Sequence, residues 1–155
     1  MQFLNYFFAS IITFFGLIIG IFLARIAPEE QKPLEKYMKL VRKILLAAII
    51  VFLAFYFYNN IFYLSVLLAY FLFLIVIEFK LKDILKKSIV QSGALGVIFF
   101  LSSKNMNLFA IETALILLAM IPTASLVYIV KERNHAPTLF YNLGFIIISN
   151  ILFFI

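Results

Sequence analysis

Six runs of apolar residues follow one another along the chain, and short polar stretches separate them. A helix needs about 20 apolar residues, with about 17–25 usual, to cross the hydrocarbon core of a bilayer. The runs cover about residues 3–24, 41–58, 61–77, 88–103, 108–130 and 139–155. Because backbone hydrogen bonds must be satisfied internally in lipid, each run is expected to be a helix. The pattern predicts an all-α integral membrane protein with six transmembrane helices in one polytopic domain, residues 1–155.

The composition supports a membrane protein. Hydrophobic residues make up 66% of the chain and charged residues 13%, whereas a soluble domain carries about 45–50% and about 25%. The first run has no positive charge before Arg25 and is too long for a cleaved signal peptide, so we expect a retained span. The fourth run is the shortest and is rich in small and polar residues, which leaves open whether it crosses fully.

The basic residues are distributed unevenly between the connections. Among 13 Lys and Arg residues, Lys104 alone lies in a connection on the side opposite to the others. By the positive-inside rule the basic connections face the cytoplasm, which places both termini outside. We therefore expect a multi-pass protein of the cell membrane. The basic connections hold Arg25, Lys32, Lys36, Lys39, Arg42 and Lys43, then Lys80, Lys82, Lys86 and Lys87, and finally Lys131 and Arg133.

The linker between the first two spans, residues 28–43, has the pattern of an amphipathic helix. Pro28 and the acids that follow it resemble a helix start, and apolar residues recur at helical spacing from Leu34 to Val41. We expect this helix to lie at the inner membrane surface and to continue into the second span. Two interpretations of residues 32–43 stay open: an ordinary interfacial anchor, or a basic face that contacts anionic lipid.

Glu112 is the only acidic residue well inside a predicted span. It lies about four residues from the outer end of the fifth span, roughly 6–8 Å deep at 1.5 Å per residue. A carboxylate at the bilayer centre costs on the order of 2.5–3.5 kcal/mol on insertion scales, and less near the edge. One interpretation is a side chain that reaches outward or is protonated, and the other is a cation or proton site on an ion route.

Pro122 lies near the middle of the same span, in the stretch LAMIPTAS. Proline lacks a backbone N–H and crowds the carbonyl four residues earlier, here that of Leu118, so the helix is expected to kink or open. Thr123 and Ser125 could satisfy the freed groups, as could water or an ion. Two interpretations of this pattern stay open. One is a kink that serves helix packing, and the other is a site for a substrate or an ion.

Other polar and small residues predict contacts between helices. Gln91 in the fourth span and Asn142 in the sixth could form interhelical hydrogen bonds, which makes spans four to six the polar half of the protein. Gly16, Gly20 and Ala24 recur every four residues in the first span, a pattern that lets another helix approach closely. The sequence does not say whether that helix belongs to the same chain.

The sequence argues against most catalytic chemistry. It has no cysteine and one histidine, and no pair of acids lies inside the spans, so we predict no catalytic residues, no metal site and no cofactor. Glu78 and Asp83 lie in a basic connection and are interpreted as counter-charges. The net charge of +6 is explained by membrane orientation, so no nucleic-acid partner is predicted.

The second half of the chain resembles the auxin efflux carriers, permeases related to the bile acid–sodium symporters. The resemblance rests on the basic connector LKDILKKS, the stretch AMIPTAS in a long span, the turn KERNHAP and a last span with Ser and Asn, and GLIIGIFLARIAPEEQKP resembles the family's first span. It implies that Pro122 and Thr123 form half of a crossing of two interrupted helices where substrate and ion bind. The family has ten spans in two repeats, whereas six are predicted here.

Two functions follow from these observations. The first is a small permease-like protein whose site lies around Pro122, with Glu112 on the ion route. The alternative is a non-catalytic scaffold or accessory subunit of a membrane complex. The lipid bilayer is the one partner predicted in either case, and a homo-oligomer or a membrane-protein partner stays open.

Overall fold

The computed structural model describes residues 2–26, 29, 31–81, 83–130 and 135–155. All regular structure in these residues is helical, which confirms the predicted all-α class. Pro28, Lys82, Lys131 and Arg133, on which parts of the linker and charge predictions rest, lie outside the described residues. The helices are α1 (Phe3–Ile26), α2 (Gln31–Tyr56), α3 (Ile61–Lys80), α4 (Ile84–Ser102), α5 (Met106–Val130), α6 (His135–Asn142) and α7 (Gly144–Phe153).

Four of these helices are long and apolar enough to cross a membrane: α1, α3, α4 and α5. They include the fourth run, which forms a 19-residue helix. The helix α2 is not among them, because Lys39, Arg42 and Lys43 lie beside its apolar part. Leu143 separates α6 from α7, so that the last run is not one long helix. The protein is thus a helical membrane protein, and the six-span count and the orientation stay predictions.

The linker predicted to lie at the membrane surface forms the first turns of α2. This helix begins at Gln31 and continues without a break to Tyr56. Glu35 and Lys39 form the exposed i,i+4 ion pair that their spacing allows. The linker and the second apolar run are therefore one helix of 26 residues, about 39 Å long at 1.5 Å per residue. How its first turns lie relative to a membrane surface stays a prediction.

Short polar side chains determine where three of the helices begin. The Asn60 side chain accepts hydrogen bonds from the backbone N–H groups of Phe62 and Tyr63 and caps α3. Asp83 accepts one from the N–H of Leu85 and caps α4. Asn105 does the same for the first turn of α5. These caps satisfy N–H groups that a helix start leaves unpaired. Asp83 is thus a capping residue, and its role as a counter-charge stays a prediction.

The helix α5 lies at the centre of the bundle and packs against α1, α2 and α4, while α7 packs against α4. The hydrophobic core includes Leu17, Leu53, Phe99, Ile116 and Phe145, and polar side chains such as Ser125 and Glu112 are buried beside it. In contrast, α3 makes few contacts with its neighbours α2 and α4, and only 17% of its apolar window is buried. The bundle thus has a compact part built on α5 and one peripheral helix.

The two ends of the bundle differ in chemistry. One end, called the basic end below, joins the first half of α2, the end of α3 and the start of α4 through ion pairs of Arg42, Lys43 and Lys87 with Glu78. The opposite end, called the aromatic end, joins α1, α4, α5 and α7 through a cluster of rings. That cluster contains Phe3, Tyr6, Phe99, Phe109 and Phe153.

Candidate functional site

Glu112 is fully buried near the aromatic end of α5. Its exposed fraction is 0%, and neither carboxylate oxygen has a hydrogen-bond partner among the described residues. Phe109 and Ile116, one turn away on either side, belong to the hydrophobic core. Glu112 lies six residues after Met106, about 9 Å along the helix axis. An ionised carboxylate without a partner is very costly in such surroundings, so this group either carries a proton or holds a cation.

The helix at Pro122 is continuous. The α-helix α5 runs from Met106 through Pro122 to Val130, so the opened helix that the sequence and the resemblance predicted is not observed. The Thr123 hydroxyl donates a 2.8 Å hydrogen bond to the carbonyl of Ala119. The Leu118 side chain is 46% exposed and faces away from the core. Pro122 therefore removes one backbone hydrogen bond inside a helix that neighbouring helices hold together.

The small residues of α1 pack against the second half of α5. Gly16, Gly20 and Ala24 are buried, and a Cβ atom added to Gly20 would collide with the carbonyl oxygen of Ile121. The Ser125 hydroxyl donates a 2.8 Å hydrogen bond to the carbonyl of Gly20, and the carbonyl oxygen of Ile121 lies 3.1 Å from the same hydroxyl. The helix that approaches α1 closely is thus α5 of the same chain. The two helices are in direct contact at these positions, which leaves no space there for a ligand.

Ser88 and Asn142 form a second polar contact, between α4 and α6, and Gln91 lies one turn further along α4 on the side that faces α2 and α3. The Ser88 hydroxyl donates a 2.7 Å hydrogen bond to the Asn142 side-chain oxygen, and the Asn142 amide donates one of 2.7 Å to the carbonyl of Thr138. Gln91 is only 3% exposed, and its side-chain oxygen has no partner within the described residues. The Thr138 hydroxyl is also buried without one. The Ser88–Asn142 contact thus joins α4 to α6, while Gln91 and Thr138 each keep a polar atom that no described residue binds.

The residues predicted as one site lie at different levels of the bundle. Glu112 is near the aromatic end, whereas Gln91 lies seven residues into α4, about 10 Å from the basic end. Between Glu112 and Thr123 on the same face of α5 are Ile116 and Ala119, which are 0% and 1% exposed. The structure therefore separates Glu112 from Gln91 and from the Ser88–Asn142 contact, and it does not assemble a common site around Pro122.

At the basic end Glu78 is a counter-charge, as the sequence indicated, but the burial of its partner Arg42 was missed. The Arg42 side chain is 2% exposed and its Nη2 lies 3.0 Å from Glu78 Oε2. Lys87 lies 3.3 Å and Lys43 3.6 Å from the other oxygen of Glu78, and Lys87 also donates a 2.8 Å hydrogen bond to the Glu78 carbonyl. Glu78 is thus the shared acceptor of three cations from two helices. Arg42 Nε and Nη1 have no partner in the described part of the chain.

One signal could have revealed this cluster. Arg42, Leu46, Ile49 and Leu53 recur at spacings of three and four residues, so extending the apolar face of the second span backwards places Arg42 on it. Arg42 lies at the edge of the second run, and counting it among the residues of the basic connection hides this register. A cation on the buried face of a helix requires an anion nearby, and Glu78 is the acid that ends the next span.

Comparisons with known proteins add no family to these observations. No protein-family model matches the chain, and neither a curated protein nor a solved structure is significantly similar to it. The resemblance to the auxin efflux carriers therefore rests on the quoted sequence stretches and stays a hypothesis. The fold and the buried polar groups are the basis on which a function has to be argued.

Proposed function

We propose that this chain is a small secondary-transporter-like permease of a membrane, and that Glu112 is its proton- or cation-binding group. The observation that carries the proposal is the complete burial of Glu112, whose two carboxylate oxygens have no hydrogen-bond partner in the described part of the chain. Ionisable residues inside membrane helices are rare and mark ion or proton routes by default. A group with only a structural role would be expected to have a hydrogen-bond partner, since buried polar groups nearly always do.

The surroundings of Glu112 fit a small ligand such as a proton or a monovalent cation. Thr113, the next residue, also has a buried hydroxyl without a partner in the described residues, although it points about 100° further around α5 than Glu112. Carboxylate and hydroxyl oxygens are the ligand types that such hard cations prefer. The neighbouring core is aliphatic and aromatic, which gives a larger polar substrate no hydrogen-bond partners there. Substrate contacts would then have to lie elsewhere in the bundle.

Pro122 has a second role in this proposal. A helix that carries a proline in its interior lacks one hydrogen bond and bends there at lower cost than an uninterrupted helix. Bending of α5 at Pro122 would move the half that carries Glu112 relative to the half that is held to α1 by Ser125. Such a movement would expose Glu112 to one aqueous side, as alternating access requires.

The substitution Glu112→Gln tests the proposal in reconstituted vesicles. We expect wild-type protein to carry protons or sodium inward when a potassium gradient with valinomycin makes the vesicle interior negative. We expect Glu112→Gln to lose this flux at least tenfold, because the amide cannot take up a proton or neutralise a cation. The flux is measured with an internal pH-sensitive dye and with radioactive sodium, and the fold is checked by the thermal unfolding midpoint in detergent.

The matched control is Glu35→Gln, which makes the same change at the exposed Glu35–Lys39 pair. It should transport like wild type. A Glu112→Gln variant with full flux would show that Glu112 is not the ion site. A correctly folded wild-type protein that moves neither ion would remove the transport proposal itself.

The scaffold alternative is favoured by α3. This helix is weakly attached to the bundle, and large apolar side chains such as Leu68, Leu72 and Val76 are exposed along it. A partner helix could cover that face in a membrane complex. Purification in a mild detergent separates the two functions, since a subunit should co-purify with a stoichiometric partner, whereas a permease should be isolated alone or with further copies of itself.

A further inference from the structure

A groove between α2, α3 and α4 opens at the basic end of the bundle. It has a volume of about 280 Å³, and its walls are apolar side chains of α2 and α3 such as Ile50, Phe71 and Leu74. Three polar residues line its end: Lys43, Glu78 and Gln91. The groove thus joins a polar end to an apolar channel, which is the chemical pattern of an amphipathic ligand.

The polar end carries an excess of positive charge. Arg42, Lys43 and Lys87 surround the single carboxylate of Glu78, so the four formal charges sum to +2. The Lys43 side chain is 56% exposed and is the most distant of the three from Glu78, at 3.6 Å. It is therefore the cation best able to bind a second anion.

Gln91 supplies an unused acceptor one turn further into the bundle than Lys87, where it lines the same groove. It is buried, yet its side-chain oxygen has no hydrogen-bond partner in the described part of the chain. A buried acceptor without a partner destabilises the fold, because it has lost its hydrogen bonds to water and gained none in return. A ligand in this groove that carries a hydroxyl group would remove that destabilisation, whereas a ligand without a donor would not.

The apolar part of the groove continues along α2 and α3. A second hollow of about 340 Å³ shares Ala47, Ile50 and Phe71 with the first and extends to Leu64. From Glu78 to Leu64 the groove follows 14 residues of α3, about 21 Å at 1.5 Å per residue. One leaflet of hydrocarbon is about 15 Å thick. The groove is therefore long enough for one acyl chain of a single leaflet.

We propose that this groove binds an anionic glycerophospholipid whose headgroup carries hydroxyl groups. Its phosphate binds Lys43, a headgroup hydroxyl donates to the side-chain oxygen of Gln91, and one acyl chain lies between α2 and α3. A choline lipid fits poorly, because its headgroup brings a cation to a cluster of charge +2 and has no donor for Gln91. Free phosphate would leave the apolar channel unfilled.

A fluorescent reporter in the groove tests the proposal. The chain has no tryptophan, so Phe71→Trp, which lines both hollows, provides a single emission signal. The reporter is reconstituted with phosphatidylglycerol or phosphatidylcholine whose acyl chains are brominated, since bromine quenches tryptophan on contact. We expect at least threefold tighter quenching by phosphatidylglycerol. We expect this preference to disappear with added Lys43→Gln and to fall with added Gln91→Leu, which removes the acceptor.

Two controls distinguish a bound lipid from general attraction to a basic surface. Lys36→Gln makes the same charge change on an exposed position of α2 outside the groove, and it should leave the preference unchanged. Phe22→Trp, at a position of α1 that is 60% exposed, should show no preference between the lipids. Equal quenching by both lipids at the groove reporter, or equal losses with Lys36→Gln and Lys43→Gln, would overturn the proposal.

Discussion

Replacing Glu78 by glutamine is expected to lower the free energy of unfolding by about 3 kcal/mol, at the low end of what breaking a buried ion pair costs. The reason is Arg42, whose side chain is 2% exposed and pairs with Glu78 at 3.0 Å. The variant leaves the guanidinium buried without an anion. Glu78 itself is 22% exposed, so water can compensate part of the loss. Denaturant titration of the purified protein in detergent measures the change.

Two further variants make this prediction specific. The double variant Arg42→Met with Glu78→Met removes the pair together and fills a similar volume, so we expect it to recover most of the stability lost in Glu78→Gln. Glu35→Gln breaks the exposed pair with Lys39, which should change the free energy by less than about 1 kcal/mol. If Glu78→Gln is no more destabilising than Glu35→Gln, Arg42 is not held by Glu78.

The ion cluster also shows which part of the fold the sequence could and could not provide. Each apolar run predicts a helix because lipid permits little else, and the structure places a helix over every run. Run boundaries, however, were placed by polarity. The position of Arg42 next to charged Lys39 and Lys43 therefore assigned it to a connection, although α2 continues through it and turns its side chain towards the core. Helical phase, and not local polarity, decides burial here.

Glu112 illustrates the same limit for the candidate site. Its short distance from the end of the span suggests that the carboxyl group lies at a small depth in the membrane, from which its side chain can reach water. Depth along a helix axis does not say which side of the helix a residue faces, and α5 is covered on several sides by α1, α2 and α4. The burial of Glu112 depends on contacts between helices far apart in the chain, which one sequence does not reveal.

The helix at Pro122 failed to open for a related reason. A proline predicts the loss of one backbone hydrogen bond, but the neighbouring groups decide whether the helix separates. Here the Thr123 hydroxyl binds the carbonyl of Ala119, and Ser125 joins α5 to α1. Neither hydroxyl binds the Leu118 carbonyl that the proline leaves free, although the sequence offered both as partners for it. The contact of Ser125 with α1 depends on the close approach of Gly20, which the sequence predicts only as a tendency.

Replacing Gly20 by alanine is the second substitution for which we expect a large effect. In an isolated helix this change would stabilise by about 1 kcal/mol. In this protein the new Cβ atom would collide with the carbonyl oxygen of Ile121 and lie 2.9 Å from the Cβ atom of Ala124. Because the obstacle is backbone, α1 has to move away from α5 and the Ser125 hydrogen bond to Gly20 lengthens. We expect a loss of about 1–3 kcal/mol.

Gly144→Ala provides the matched control, since a Cβ atom at Gly144 would meet no other atom within 4 Å. Gly144→Ala should leave the thermal midpoint unchanged or raise it, while Gly20→Ala lowers it. Gly16→Ala should lower the midpoint by a similar amount, because its new Cβ atom would collide with the carbonyl oxygen of Leu117. The thermal midpoint is expected to change in opposite directions because a neighbouring helix lies close to Gly16 and Gly20, whereas none lies close to Gly144. Equal midpoints for Gly20→Ala and Gly144→Ala would mean that α1 and α5 do not approach closely, and the hinge assigned to Pro122 would then lose the contact on which it depends.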